Sequence, residues 1–117
     1  MTDSCLYHNP RCSKSRAALA LLLERGVSPR VLAYLDTPPG VEQLHALVTM
    51  LGVPARELLR TGEARYAELD LADPAKTAEQ LIAAMAENPS LIERPIFIHR
   101  GRAVIGRPPE RVLTLLD

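Results

Sequence analysis

Two cysteines occur in this chain, and one of them stands where a thiol can work. Cys12 lies in the run Leu6-Tyr7-His8-Asn9-Pro10-Arg11-Cys12-Ser13-Lys14-Ser15-Arg16. The apolar residues up to Tyr7 read as the end of a strand, Asn9-Pro10 as a turn, and the residues from Ser13 as a helix. The thiol therefore falls between a strand's carboxyl end and a helix's amino end. A helix start presents unpaired backbone N–H groups and a partial positive charge, which favour thiolate over thiol and attract an anion. His8, Arg11, Lys14 and Arg16 add cations within a few residues. A free thiol, with a pKa of about 8.5, is only a few per cent thiolate at neutral pH. Lowering that pKa by two units takes about 2.7 kcal/mol. The helix start supplies about 0.3–1 kcal/mol of this, so nearby cations must supply the rest. The chemistry this spacing suits is nucleophilic attack by Cys12 on an oxyanion, with His8 either a satisfied loop histidine or an imidazolium partner for the thiolate.

Cys5 reads differently. It lies among apolar residues of the first strand, where a cysteine behaves as a small, inert hydrophobe. The two cysteines do not form Cys-x-x-Cys, so no dithiol cycle is expected within the Cys12 loop. Two separated cysteines and three scattered histidines give no metal-ligand spacing, and no metal site is expected.

The elements that must position Cys12 follow from periodicity. Residues 3–7 read as a strand, 13–25 as a helix stopped by Gly26, and 30–35 as a second strand. That order is a βαβ unit with parallel strands. The run Ala17 to Leu23 is apolar nearly all round, so the helix is expected to be covered on more than one side. Thr37, with Pro38 behind it, is a candidate cap for a helix carrying Val41, Leu44, Leu47, Val48 and Leu51. A short helix is expected from Ala55 to Arg60, and a further one, capped by Thr77, carries Leu81, Ile82 and Met85. Ile96-Phe97-Ile98 and Ala103-Val104-Ile105 read as a hairpin turning at Arg100-Gly101. A last helix opens after Gly106-Arg107-Pro108-Pro109, with Val112, Leu113 and Leu116 on one face. The fold class is α/β: a thioredoxin-like βαβ…ββα sheet with an inserted helical block. Residues 1–117 are expected to form one domain, with the insertion over about 38–90.

Composition narrows the partners. Hydrophobic residues make up 47% with one Phe and no Trp, so the core must be aliphatic. Lys plus Arg and Asp plus Glu are 14 each, and zero net charge argues against nucleic-acid binding, which needs a basic face. No apolar segment approaches the roughly 20 residues of a membrane span, and Thr2-Asp3 does not open a secretory leader. With two cysteines and no leader, a reduced, cytoplasmic protein is expected.

The pattern also resembles a known family. His8-x-x-x-Cys12-x-x-x-Arg16 after Tyr7, Asp36-Thr37-Pro38-Pro39, Leu58-Leu59-Arg60, Glu93-Arg94-Pro95-Ile96 and Gly106-Arg107-Pro108 are similar, in order and spacing, to the ArsC family of glutaredoxin-coupled arsenate reductases. Tyr7 to Ser15 and Ile105 to Glu110 look most like its short YfgD-type branch. The resemblance implies an arsenate reductase that uses no bound cofactor, glutathione as reductant and glutaredoxin as protein partner. It implies a substrate site made by Cys12 with Arg60, Arg94 and Arg107, with His8 depressing the cysteine's pKa. Pro95 aligns with a cis-proline facing the site, and Ser15 and Arg16 with residues that support the loop. Arginine suits the role because its planar fork pairs two oxyanion oxygens at once and stays charged. Ser13-Lys14-Ser15 stands where the plasmid-type members carry a smaller Gly-Thr-Ser run. Two other functions fit the same fold. One is a glutathione-dependent thiol reductase; the other is a non-enzymatic, Spx-like regulator that binds RNA polymerase. Spx-type relatives sense redox state through Cys-x-x-Cys, and here Ser15 takes the second cysteine's place.

Overall fold

The structure, a computed structural model, describes residues 4–116; residue 3 of the expected first strand lies outside them. The chain divides after Thr37 and before Arg94 into two compact units. One unit holds a four-stranded sheet and is built from both ends of the described chain. The other, Pro38–Glu93, is helical.

In the sheet unit, strand β1 (Ser4–Tyr7) leads through helix α1 (Ser13–Glu24) to strand β2 (Arg30–Leu32). Strands β3 (Ile96–His99) and β4 (Arg102–Ile105) follow as a hairpin. The spatial order is β2-β1-β3-β4. β1 pairs in parallel with β2, matching Cys5 to Arg30 and Tyr7 to Leu32, and antiparallel with β3, matching Tyr7 to Ile96. This is the α/β, βαβ…ββα order implied by the sequence. The hairpin turns through Arg100 and Gly101, both at positive φ (52° and 81°), the geometry that twists a two-residue turn to match its strands. Leu6, Ala18, Leu22, Phe97, Val104, Val112 and Leu115 close the core.

Three expectations in this unit are corrected. α1 buries a single stripe, Ser15, Ala18 and Leu22, and Leu23 is 52% exposed. The alanines that made the run look apolar all round are strong helix formers and need no cover. β2 ends at Leu32, because the Tyr34 N–H bonds back to the Leu32 carbonyl and the Asp36 and Thr37 N–H groups bond to that of Ala33. Tyr34 is buried from within this turn, stacked on Tyr7 with ring centroids 6.3 Å apart. The last helix is a 3₁₀ helix, Pro109–Leu116, which buries Val112 and Leu115. Three residues per turn put i and i+3 on one line, so Leu115 joins Val112 in the core, and Leu113 and Leu116 pack against it partly buried.

The helical unit contains α2 (Val41–Leu51), α3 (Ala64–Glu68) and α4 (Ala78–Glu87). Thr77 caps α4 as expected: its hydroxyl accepts from Gln80 N–H at 3.2 Å, and Gln80 Oε1 accepts from Thr77 N–H at 2.7 Å. α2 starts later than expected, with Gly40 as its cap and the Gly40 N–H bonded to Gln43 Oε1 at 2.9 Å. α4 turns Leu81, Ile82 and Met85 inward, and α2 packs against it through Leu44 and Leu47. The expected helix from Ala55 to Arg60 is a 3₁₀ turn, Ala55–Leu58. The chain then extends so that Leu59 bridges Ile92. Arg60 N–H bonds to Leu91 O, and Glu93 N–H to Leu58 O, each at 2.8 Å. Arg56 ties down the following loop, donating to Leu71 O at 2.6 Å and Asp73 O at 3.0 Å.

Candidate active site

Pairing with β2 carries one residue past Tyr7, the His8 N–H bonding to Leu32 O at 2.9 Å. The chain then turns: Arg11 N–H donates to Asn9 Oδ1, and Cys12 N–H to Asn9 O, both at 3.0 Å. An asparagine side chain that mimics a backbone turn is the usual device here. Cys12 is the N-cap of α1, in extended conformation (φ −93°, ψ 121°), and its carbonyl accepts the first helical bond, from Arg16 N–H.

The sulfur is 9% exposed at the residue level and faces a positive environment. Burial alone pushes the thiol up. The Ser15 N–H, the Arg94 charge, the Lys14 N–H and the Arg107 charge outweigh it, and the Cys12 pKa falls below its ordinary value. Arg107 Nη2 donates to Cys12 Sγ at 4.0 Å, and Arg107 Nε donates to the Arg94 carbonyl at 2.9 Å. One arginine thus braces the backbone of the other while reaching the sulfur. The peptide bonds Arg94–Pro95 and Arg107–Pro108 are both cis. Gly106 N–H donates to Pro95 O at 2.8 Å, and a Cβ at Gly106 would lie 2.9 Å from Pro95 Cγ. Glycine is needed there for close approach.

His8 is tied into the loop by a buried hydrogen bond. Its Nδ1 lies 2.7 Å from Ser15 Oγ, which also accepts from Asn9 N–H at 3.1 Å. Burial first, then the Arg16 charge, push its pKa down, which disfavours the imidazolium form. The charges that lower the Cys12 pKa are those of Arg94 and Arg107, and His8 is not among the causes. Ser15 is fully buried at the centre of the loop, and Arg16 Nη1 donates to Pro10 O at 2.8 Å from outside.

The sheet unit therefore brings together Cys12, Arg94, Arg107 and Pro95, with His8, Ser15 and Arg16 holding the loop. Arg60 belongs to the helical unit. There its Nη1 donates to Ser90 O at 3.3 Å and lies 3.6 Å from Glu63, with 25% of the side chain exposed. Cys5 is half-buried in β1, and burial, partly opposed by Arg30, raises its pKa. Both cysteines are free thiols. Among the described residues no His, Cys, Asp and Glu group is arranged to hold a metal, and no helix is long and apolar enough to cross a membrane. Sequence reasoning missed the Ser15–His8 pairing and the Gly106–Pro95 contact. Ser15, three residues after Cys12, carried the only signal for the first.

Residues 7–115 match the ArsC family. The chain is 54% identical to the protein YfgD of Escherichia coli K12 over 112 residues, covering 95% of this chain and 94% of that one. It is 44% identical to an arsenate reductase of Neisseria meningitidis over 117 residues, covering 99% and 100%. The structure of an arsenate reductase from Vibrio cholerae superposes with a TM-score of 0.93 at 50% identity, covering 95% of each chain.

Proposed function

From the chain's membership of the ArsC family, we propose that it is an arsenate reductase in which Cys12 is the sole nucleophile. The observation that carries this reading is the acidified Cys12 thiol beside Arg94 and Arg107. Such a thiol ionises more readily than an ordinary one, and the same cations attract the oxyanion it must attack. The family resemblance adds Arg60 as a third arginine and makes Pro95 part of the rim. Both units then act as one reductase domain, with the helical unit as its insertion.

In the proposed reaction the Cys12 thiolate attacks arsenic, and one arsenate oxygen leaves as water. Arg60, Arg94 and Arg107 hold the remaining oxygens and spread their charge in the transition state. An external thiol then resolves the adduct. In balance, arsenate and two thiols yield arsenite, one disulfide and one water, so arsenic gains the electron pair that the two sulfurs lose. Glutathione and glutaredoxin supply those thiols, which places the reaction in the reducing cytoplasm as arsenic detoxification. Cys5 takes no part. It is locked between two strands with its proton held, where a thiol is a poor nucleophile.

The test is arsenite formation with glutathione and glutaredoxin. Wild type should turn over and Cys12→Ser should not. Glutathione-dependent disulfide reduction without arsenate turnover would replace this reading with that of a thiol reductase.

A further inference from the structure

The loop that carries Cys12 also lines a cleft whose walls include neither Arg94 nor Arg107. Residues 8–11 form one wall of a cleft of about 290 Å³, and Ala33, Leu35 and Asp36 form the other. That volume is at the small end of the range for small-ligand pockets. The cleft opens at the carboxyl ends of β1 and β2, the edge where α/β sheets take ligands. Leu35 is 42% exposed, an apolar surface left open beside the loop. Arg11 and Asp36 supply one charge of each sign, and neither is in an ion pair among the described residues. Arg11 directly precedes the nucleophile.

We propose that this cleft docks the small thiol that resolves the Cys12 adduct, as a zwitterionic peptide with a carboxylate on Arg11 and an ammonium on Asp36. This rests on the arsenate-reductase reading above. The charges argue for this occupant over the alternatives. An inorganic oxyanion has nothing to offer Asp36 and is repelled by it. A purely cationic ligand is repelled by Arg11. A short peptide carries both groups, and the chain between them spans Ala33 and Leu35. A separate cleft also solves a competition problem. A thiol peptide rich in carboxylates would otherwise contend with arsenate for Arg94 and Arg107. Binding it on residues other than those arginines leaves the oxyanion in place while the thiol comes in.

The test uses S-methylglutathione, which has the charges of the peptide thiol but no reactive sulfur. Titrated into the full chain, it should shift the backbone amide resonances of Arg11, Ala33, Leu35 and Asp36 in a saturable way. Arg11→Glu and Asp36→Lys should each weaken that binding about tenfold and raise the KM for glutathione to the same extent. The KM for arsenate and the pH inflection of Cys12 alkylation should stay at wild-type values in both variants. Shifts confined to Arg94, Arg107 and their neighbours, or an unchanged glutathione KM in both variants, would overturn the proposal. The two readings fail separately. Arsenate turnover with none of these amides moving removes the cleft and leaves the reductase. Saturable shifts at these amides without arsenate turnover remove the reductase and leave the cleft as a peptide-thiol site.

Discussion

Cys12 owes its acidity to two backbone N–H groups and two arginines working against its own burial. Its alkylation rate should therefore rise with pH through an inflection below that of an ordinary thiol. Arg94→Ala should move the inflection upward, and Arg107→Ala should do so by less, in the order of their influence on the sulfur. Rates of iodoacetamide labelling against pH, with mass spectrometry to place the label, measure this. An inflection near 8.5 in wild type would contradict the activated thiol. His8 makes a separate prediction. Its folded pKa is depressed, so at low pH the unfolded chain takes up a proton that the folded chain resists. Stability from this group is present above the unfolded value of about 6.5 and is lost as pH falls toward the folded value. Urea midpoints across that window should decline with acid, and His8→Asn should flatten the decline. Ser15→Ala should cost about 1–3 kcal/mol, because it strips a buried partner from both His8 Nδ1 and the Asn9 N–H. The nucleophile and its loop supports were legible as residue types in sequence. The downward shift of the His8 pKa was not, because it depends on burial and on where Arg16 ends up.

At the scale of elements, the loop on one side and the hairpin on the other must both be rigid. Gly106 is the tightest point: an added methyl group would lie 2.9 Å from Pro95 Cγ and 3.0 Å from Val112 Cγ1. Gly106→Ala should destabilise the chain by about 1–3 kcal/mol, read as a lowered urea midpoint. It should also reduce activity, since Arg107 is the next residue and Pro95 follows Arg94. Thr77→Ala, which removes a cap in the helical unit, should cost about 1 kcal/mol and leave Cys12 reactivity unchanged. The Thr77 cap was legible because Gln80 stands at the reciprocal spacing of a capping box. The start of α2 was misplaced at Thr37 because a hydroxyl before Pro38 looked like a better cap than Gly40. A backbone N–H answered by the Gln43 side chain does the work instead. The end of β2 was hidden for a similar reason. Ala33, Tyr34 and Leu35 are apolar, and a turn that buries Tyr34 leaves no break in the pattern.

At the scale of the whole molecule, the order of strands and helices was readable from periodicity, and with it the edge of the sheet that carries the site. Distant arginines were another matter. Arg60, Arg94 and Arg107 look like ordinary solvated charges one at a time, and only the family pattern selected them. The structure sets Arg107 against the sulfur through a contact spanning most of the chain, and the Arg94 charge acts on the same sulfur. Replacing Arg60, Arg94 or Arg107 by Ala should each lose on the order of 2–4 kcal/mol of transition-state binding, read in kcat/KM for arsenate. Lys replacements should recover part of it, since a point charge remains and the fork does not.

The single-thiol oxyanion site is tested most directly by steady-state arsenite formation in Cys12→Ser and Cys5→Ser, each supplied with glutathione and glutaredoxin. Cys5 is paired into β1 and deprotonates late, so Cys5→Ser should keep most of the wild-type rate while Cys12→Ser has none. A dead Cys5→Ser variant, or a Cys5–Cys12 disulfide accumulating during turnover, would contradict the account and put an internal dithiol cycle in its place.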